Sequence, residues 1–471
     1  MDIAYDPRLT GAPAAADDRD VPETSGVSDL LQWNNLTYTM PVTNSVAAAR
    51  NIKPYFPDQQ NYRDGDTVVF TVQTGAQFVD WSKSWLQVEL EVKCPSRAAD
   101  AALTTVNFGA GSICNLFKSV VVTSRSGVEI QRIEEFNRWR VITDRLKRSH
   151  EWMQSYGSSL GYKPVDPSFG SFDPPKQGSF GSNIRAQTDY GASGSNGVHL
   201  FNIPMSQFAG VFESDQLMPS NIASGMRIEL RLETGGIPFF IGLDMNRDPA
   251  KTYQDCEYEV SCKLFCDTTL LNDAAMREIR ATSASNGLEY VYKQLYHQKE
   301  PQAGVPQTNM VISKAVSRAL QATCAQFLVK KTGLLVDNFI TQVWDGIGDD
   351  PGVQRQSQIV KQQWRLGSQY YPHQYFTTTE ANYQNLTYCC EATQDKPISL
   401  SIRDFRAYLQ IAMATFEKSA LLRYSGISIN NSRTLSIDAE FADSSLEVST
   451  ECWLEYVSVG KAFLNNIVVS I

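Results

Sequence analysis

The chain has 471 residues, a formal charge of −9 and a pI near 5.2. That length exceeds what one ordinary core serves, so two domains of about 200 residues or more is the natural division. The acidic balance argues against a coat that neutralises nucleic-acid phosphate, although a local basic patch stays compatible with it.

Hydrophobic residues make up 42% of the chain, with 22 Phe, 20 Tyr and 8 Trp, enough to fill large interiors. Nine Cys residues stand scattered: Cys94, Cys114, Cys256, Cys262, Cys266, Cys324, Cys389, Cys390 and Cys452. An odd count inside strand-like runs points to reduced, buried thiols in a protein made in the cytosol. Cys262-x-x-x-Cys266 and the Cys389–Cys390 pair lack a second ligand pair at zinc spacing, so no metal site is expected. No cofactor motif occurs either. No run approaches 18 apolar residues, so no membrane-spanning helix is expected.

Residues 1–29 read as a flexible arm. Asp17, Asp18, Asp20 and Glu23 crowd a stretch with little to bury, and no basic segment leads into an apolar one as in a signal peptide. The arm is either plain disorder or a tether to a neighbouring copy. The N-x-[ST] sequons at Asn35, Asn385 and Asn430 are read as chance.

Order is expected from about Leu30. Thr67–Gln73 is β-branched and aromatic after the Asp64-Gly65 turn signal. In Trp85–Lys93, Leu86, Val88, Leu90 and Val92 alternate with Gln87, Glu89, Glu91 and Lys93, the mark of a half-buried antiparallel strand. Ser119–Thr123 and Val128–Ile133 flank Ser124-Arg-Ser-Gly127 as a hairpin. A helix is expected from about Glu135 to Ser155, with Phe136, Trp139, Ile142, Leu146 and Met153 on one stripe. Residues 156–197 read as a long polar loop, unusual inside a compact domain. Strands return at Val198–Ile203, Met226–Leu232 and Tyr258–Phe265, with a short helix or turn over Phe208–Pro219.

The β pattern breaks near residues 272–286. The second half has strand patterns at Leu288–Tyr292, Ser317–Leu328 and around Trp364–Gln369, and an exposed loop at 345–358. A helix is expected from Ser401 to about Lys418. Ser401-Ile-Arg-Asp404 fits a capping box, and Ile402, Phe405, Leu409, Ala412 and Phe416 recur at helical spacing. Strands at Gly426–Arg433, Leu446–Val448, Cys452–Val457 and Ile467–Ile471 close the chain. One plan thus appears twice: many short antiparallel strands around one amphipathic helix. That is an all-β chain of two sandwiches in series, since one helix per half is too little for a βαβ layout.

No catalytic constellation assembles from these elements. Gly157-Ser-Ser159-Leu-Gly161 matches G-x-S-x-G, but it follows a helix rather than a strand, and an elbow needs the strand. His150, His199, His297 and His373 show no metal or triad spacing and read as structural or solvated, His150 at a helix end and His373 in a loop. Adjacent acids such as Asp349-Asp350 make no dyad without geometry. Arg145-Leu-Lys-Arg148 reads as a solvated helix face before it reads as a nucleic-acid contact. Arg227 and Arg231 around Glu229 read as strand-face ion pairs. Trp81, Trp85, Trp139 and Trp152 could make a sugar platform, but core packing explains them more cheaply.

The order of Trp85-Leu-Gln-Val-Glu-Leu-Glu-Val, the Val120 hairpin and the Glu135 helix resembles the first jelly roll of the double jelly-roll major capsid proteins of double-stranded DNA viruses. Ile203–Pro219 leading into Met226-Arg-Ile-Glu-Leu is similar to capsid proteins of virophages and polinton-like viruses. Trp364–Pro372 and Ser425–Asn430 resemble the corresponding stretch of the second jelly roll. The likeness covers most of residues 30–471 and rests on pattern, with no invariant motif. It implies two tandem eight-stranded antiparallel jelly rolls, at 30–275 and 280–471. It also implies a homotrimeric, pseudo-hexagonal capsomer tiling an icosahedral shell, with penton and minor or cement proteins as partners, no sequence-specific nucleic acid, and a virion location. The 156–197 loop would then be a tower or clasp and the arm a clamp beneath the shell. Two other readings stand beside it: a glycan-binding sandwich of spike, fibre or lectin type, and a hydrolase built on Ser159 or an acid pair.

Overall fold

The computed structural model describes residues 47–93, 105–108, 112–149, 151–152, 155–161, 183–185, 198–214, 216–234, 239–241, 257–285, 287–303, 307–328, 359–394, 402, 405, 411–417, 424–430, 433–441, 447–463 and 467–470. The expected arm, the 345–358 loop, His150, Asn35, Cys94 and Cys256 lie outside them.

The first twelve described strands are β1 (Ala47–Tyr55), β2 (Tyr62–Arg63), β3 (Thr67–Val72), β4 (Phe78–Lys93), β5 (Thr105–Phe108), β6 (Phe117–Thr123), β7 (Glu129–Ile133), β8 (Asn183–Arg185), β9 (Val198–Pro204), β10 (Met226–Leu232), β11 (Phe239–Ile241) and β12 (Glu257–Leu271). The next ten are β13 (Leu288–Ala303), β14 (Gln307–Ile312), β15 (Val316–Leu328), β16 (Ile359–Leu366), β17 (Gln369–Phe376), β18 (Ile411–Thr415), β19 (Ile427–Ile429), β20 (Leu435–Phe441), β21 (Glu447–Ala462) and β22 (Ile467–Ser470).

Two large sheets form from the first set, in the orders β1-β12-β4-β9 and β3-β10-β6-β7, beside a small one of three strands. Two form from the second, β13-β21-β15-β18 and β14-β20-β16-β17. Take the eight principal strands of each set in chain order, leaving out β2, β5, β8, β11, β19 and β22. Both sets then read 1-8-3-6 facing 2-7-4-5, with every pairing antiparallel. That order is the double Greek key of a jelly roll, so the chain carries two of them.

Alternation explains the placement. Leu86, Val88, Leu90 and Val92 of β4 are buried, and across from them lie Val68, Phe70, Ile228 and Leu230 of the opposing sheet. A second core holds Met310, Trp364, Leu435, Ile437, Cys452 and Leu454. The hairpin between β6 and β7 turns at Gly127, whose φ of +79° suits glycine. There Ser124 Oγ accepts from Val128 N at 3.1 Å.

Several expectations need correction. The first helix spans Phe136–Lys147 and stops at Arg148, whose backbone is extended. Helix resumes at 151–152, and Tyr156–Ser159 forms a single turn. The expected 156–197 loop contains β8, which pairs with β5 in a small third sheet, β11-β5-β8. The 272–286 break is itself a helix, Asp273–Ser285. The helix expected over 401–418 is not one helix: Ile402 and Phe405 are helical, but 411–415 is β18. The long helix of the second half is Thr379–Gln394, started by Thr378 Oγ1 accepting from Ala381 N at 3.2 Å. His373, expected in a loop, lies on β17.

Candidate functional site

A seam of buried charge joins the two jelly rolls. Strand β21 turns Cys452, Leu454 and Tyr456 into its own core and Glu451, Trp453 and Glu455 to the opposite face. The Phe136–Lys147 helix of the first roll covers that face, with the Trp139 and Trp453 rings 5.7 Å apart. Arg138 pairs with Glu451, whose side chain is 0% exposed. Lys299 Nζ lies 3.5 Å from the same carboxylate and 3.7 Å from Glu135. His297 Nε2 lies 3.2 Å from Glu451 Oε2, and its ring is 5.2 Å from that of Trp453. Four residues further along β21, Lys147 Nζ donates to Glu455 Oε1 at 2.7 Å.

The electrostatics follow from these partners. Burial alone would push the Glu451 carboxyl up; the His297 hydrogen bond and the Arg138, His297 and Lys299 charges outweigh it and hold the group below its usual range. Glu455 is likewise held down against its burial by Lys147 and Lys293. Glu417 goes the other way, because burial dominates there and raises it.

Uncharged groups extend the seam. Gln131 donates to Lys293 O at 3.0 Å and accepts from Val211 N at 2.9 Å. Tyr290 donates to Val211 O and Tyr292 to Ile130 O, each at 2.9 Å. Gln294 Nε2 donates to Ile130 O at 2.6 Å. Backbone meets backbone at Gly210, where a Cβ would lie 2.0 Å from Lys293 O. Apolar contact has no direction, but these bonds do, so together they specify one placement of roll on roll.

The residues singled out in the sequence fall elsewhere or serve this seam. Ser159 is exposed, and its hydroxyl donates to Tyr156 O at 2.7 Å within its own turn, with no strand before it. His199 stacks beside Phe201 on β9, and His373 is exposed on β17. Lys147 of the supposed solvated basic run instead pairs with Glu455, and Arg148 sits 4.6 Å from the Trp152 ring. Arg227 pairs with Glu229 at 3.1 Å. Trp81 and Trp139 are buried, and Trp85 stacks on Phe265 at 5.1 Å. Asn385 of the second sequon donates to Met413 O at 2.9 Å. None of the seven described Cys forms a disulfide, and all seven are buried. Among the described residues no group of three or more His, Cys, Asp or Glu could hold a metal ion.

Sequence reasoning missed Glu451 and Glu455. In a strand with period two they read as its solvent face. The signal available was Trp453 between them, a large apolar residue on a face that should have been wet.

The sequence matches no protein-family model and no curated protein. Solved structures do match. The Faustovirus major capsid protein superimposes with a TM-score of 0.56 at 10% identity, over 95% of this chain and 99% of that one. A chain of the Sputnik virophage particle gives 0.57 at 10% identity, over 92% and 90%. The mavirus major capsid protein gives 0.53 at 10% identity, over 98% and 96%. With the strand order found twice, these matches establish that the chain has the double jelly-roll fold of the Faustovirus and mavirus major capsid proteins.

Proposed function

We propose that the chain is a viral major capsid protein with a structural rather than catalytic role. Three copies close into a pseudo-hexagonal capsomer, and capsomers tile an icosahedral shell around a DNA genome. The division into an arm (1–29) and rolls at 30–275 and 280–471 belongs to the same reading. So do penton and cement partners, synthesis in the host cytoplasm, and residence in the virion.

The observation that carries this reading is the polarity of the seam. The helix after the fifth strand of the first roll packs on the outer face of the 1-8-3-6 sheet of the second. The equivalent helix of the second roll, Thr379–Gln394, exposes Gln384, Tyr388 and Glu391 along one stripe. The equivalent sheet face of the first roll exposes Glu89, Leu200 and Lys263. Each copy therefore offers both halves of the contact it already makes internally. Repeating that head-to-tail contact between copies generates a ring, and a ring of six rolls closes with three chains. Acidic Glu391 on the helix suits basic Lys263 on the sheet. The jelly roll itself shields most strand edges, which fits a protein held at high local concentration.

Light scattering on the purified full chain tests the proposal. The expected mass is three times 52.6 kDa, and negative-stain images should show hexagonal outlines. A strictly monomeric protein under gentle conditions overturns it.

A further inference from the structure

A second feature lies away from the seam. Between the β6–β7 turn, the Ser220–Ala223 turn and the Asp273–Ser285 helix runs a cleft of about 680 Å³. Arg125 lines it from the turn and Arg280 from the helix. Ser126, Ser220 and Ser224 add hydroxyls, and none of its described lining residues is acidic. Arg125 and Arg280 are both exposed, and no acidic residue stands beside them among the described residues that line the cleft.

The cleft is built rather than incidental. Arg125 crosses the chain at Gly225, where a Cβ would lie 2.8 Å from the arginine Cβ and Cγ, and where φ is +87°. A side chain at 225 would displace the Arg125 stem, so glycine leaves room for that stem along the cleft wall. Asn221 ties the far wall together, donating to Ser283 Oγ at 3.0 Å and to Phe463 O at 3.2 Å.

We propose that this cleft binds a small polyphosphorylated anion. Guanidinium groups match phosphate oxygens bidentately, and hydroxyls satisfy the oxygens that remain. A volume of this order accommodates a nucleotide-sized ligand, not only one phosphate. Two positive groups with no carboxylate among the cleft's described lining residues make a positive field that a compact anion neutralises. The inference does not rest on the capsid reading, and its failure would leave that reading untouched.

Calorimetric titration of the full chain at low salt, with inorganic tripolyphosphate as probe, tests it. One saturable site per chain is expected. Arg125→Ala and Arg280→Ala should each weaken binding about tenfold or more, as loss of a charge-assisted contact does. Arg231→Ala, an exposed arginine on β10, should leave it unchanged. ATP and adenosine separate the sources: ATP binding no tighter than tripolyphosphate, with adenosine inert, identifies the phosphates alone as the ligand, whereas tighter ATP binding identifies a nucleotide. Absence of a saturable site overturns the proposal. So does affinity within twofold of the native value in the double variant, or binding to a DNA oligonucleotide that scales with its length and ignores Arg125 and Arg280. Thermal melts establish that the variants fold.

Discussion

Glu451 is fully buried and faces Arg138, His297 and Lys299, so its charge is settled by partners from both rolls. Its folded value lies below its ordinary 4.5. The ionised carboxylate therefore contributes stability that is fully present above about pH 4.5 and is lost as pH falls through the lower folded value. Glu455 adds in the same direction. Urea unfolding followed from pH 7 downward should show stability falling below pH 4.5. Glu451→Gln should cost about 3 kcal/mol at pH 7, because Arg138 and Lys299 keep their charge beside a neutral amide. The same variant should flatten part of the acid limb, leaving the share that belongs to Glu455; an acid limb identical to the native one would contradict this account. Gly210 makes a steric counterpart to this electrostatic case. Gly210→Ala sets a methyl 2.0 Å from the Lys293 carbonyl oxygen, and backbone on both sides must move. A loss of about 1–3 kcal/mol is expected, seen as a lower Tm.

Strand β18 shows how far local pattern reaches. Ile411 and Met413 belong to the core beneath the Thr379–Gln394 helix, whereas Ala412 and Ala414 belong to the core inside the second roll. A strand buried on both faces has no alternation, and its apolar run is indistinguishable from a helical stripe by periodicity. That is why 402–416 reads as a helix. The real helix is faint for a related reason: its buried side is Asn382, Leu386, Cys389 and Cys390, mostly small or polar residues. Half-buried strands were plain by contrast, since β4 and β10 keep one wet face, and so was the hairpin with its Gly127 turn. The seam was not legible, because Glu451 and Glu455 sit at positions that alternation assigns to water. Met413→Asp and Ala412→Asp distinguish strand from helix. Both should destabilise by several kcal/mol, since each buries an unpaired carboxylate, whereas an amphipathic surface helix would tolerate one of the two. Thiols give an independent readout. Burial pushes Cys389 and Cys390 up to about 12. Both should resist alkylation at neutral pH in the folded chain and react once urea unfolds it.

At the scale of the molecule, the repeated strand order gives each chain one helix-on-sheet contact inside itself, and the proposed trimer repeats that contact between copies. The internal contact is head-to-tail, so the contact between copies should be heterologous, with a helix stripe on one chain and a sheet face on the next. The two halves can be spoiled separately. Tyr388 is 60% exposed on the helix stripe and Leu200 is 59% exposed on the sheet face. Tyr388→Asp and Leu200→Asp should each convert the assembly to monomers and change the stability of the single chain by less than about 1 kcal/mol, because neither side chain is in a core. Mixing the two variants is the sharper experiment. The Tyr388→Asp chain keeps its sheet face and the Leu200→Asp chain keeps its helix stripe, so one intact contact forms between them. The product should be a capped heterodimer of about twice 52.6 kDa that cannot close. A self-complementary interface would give no complementation, because both of its copies would need the same patch. Light scattering on the mixture therefore separates a ring built by repetition of the seam from any other mode of association.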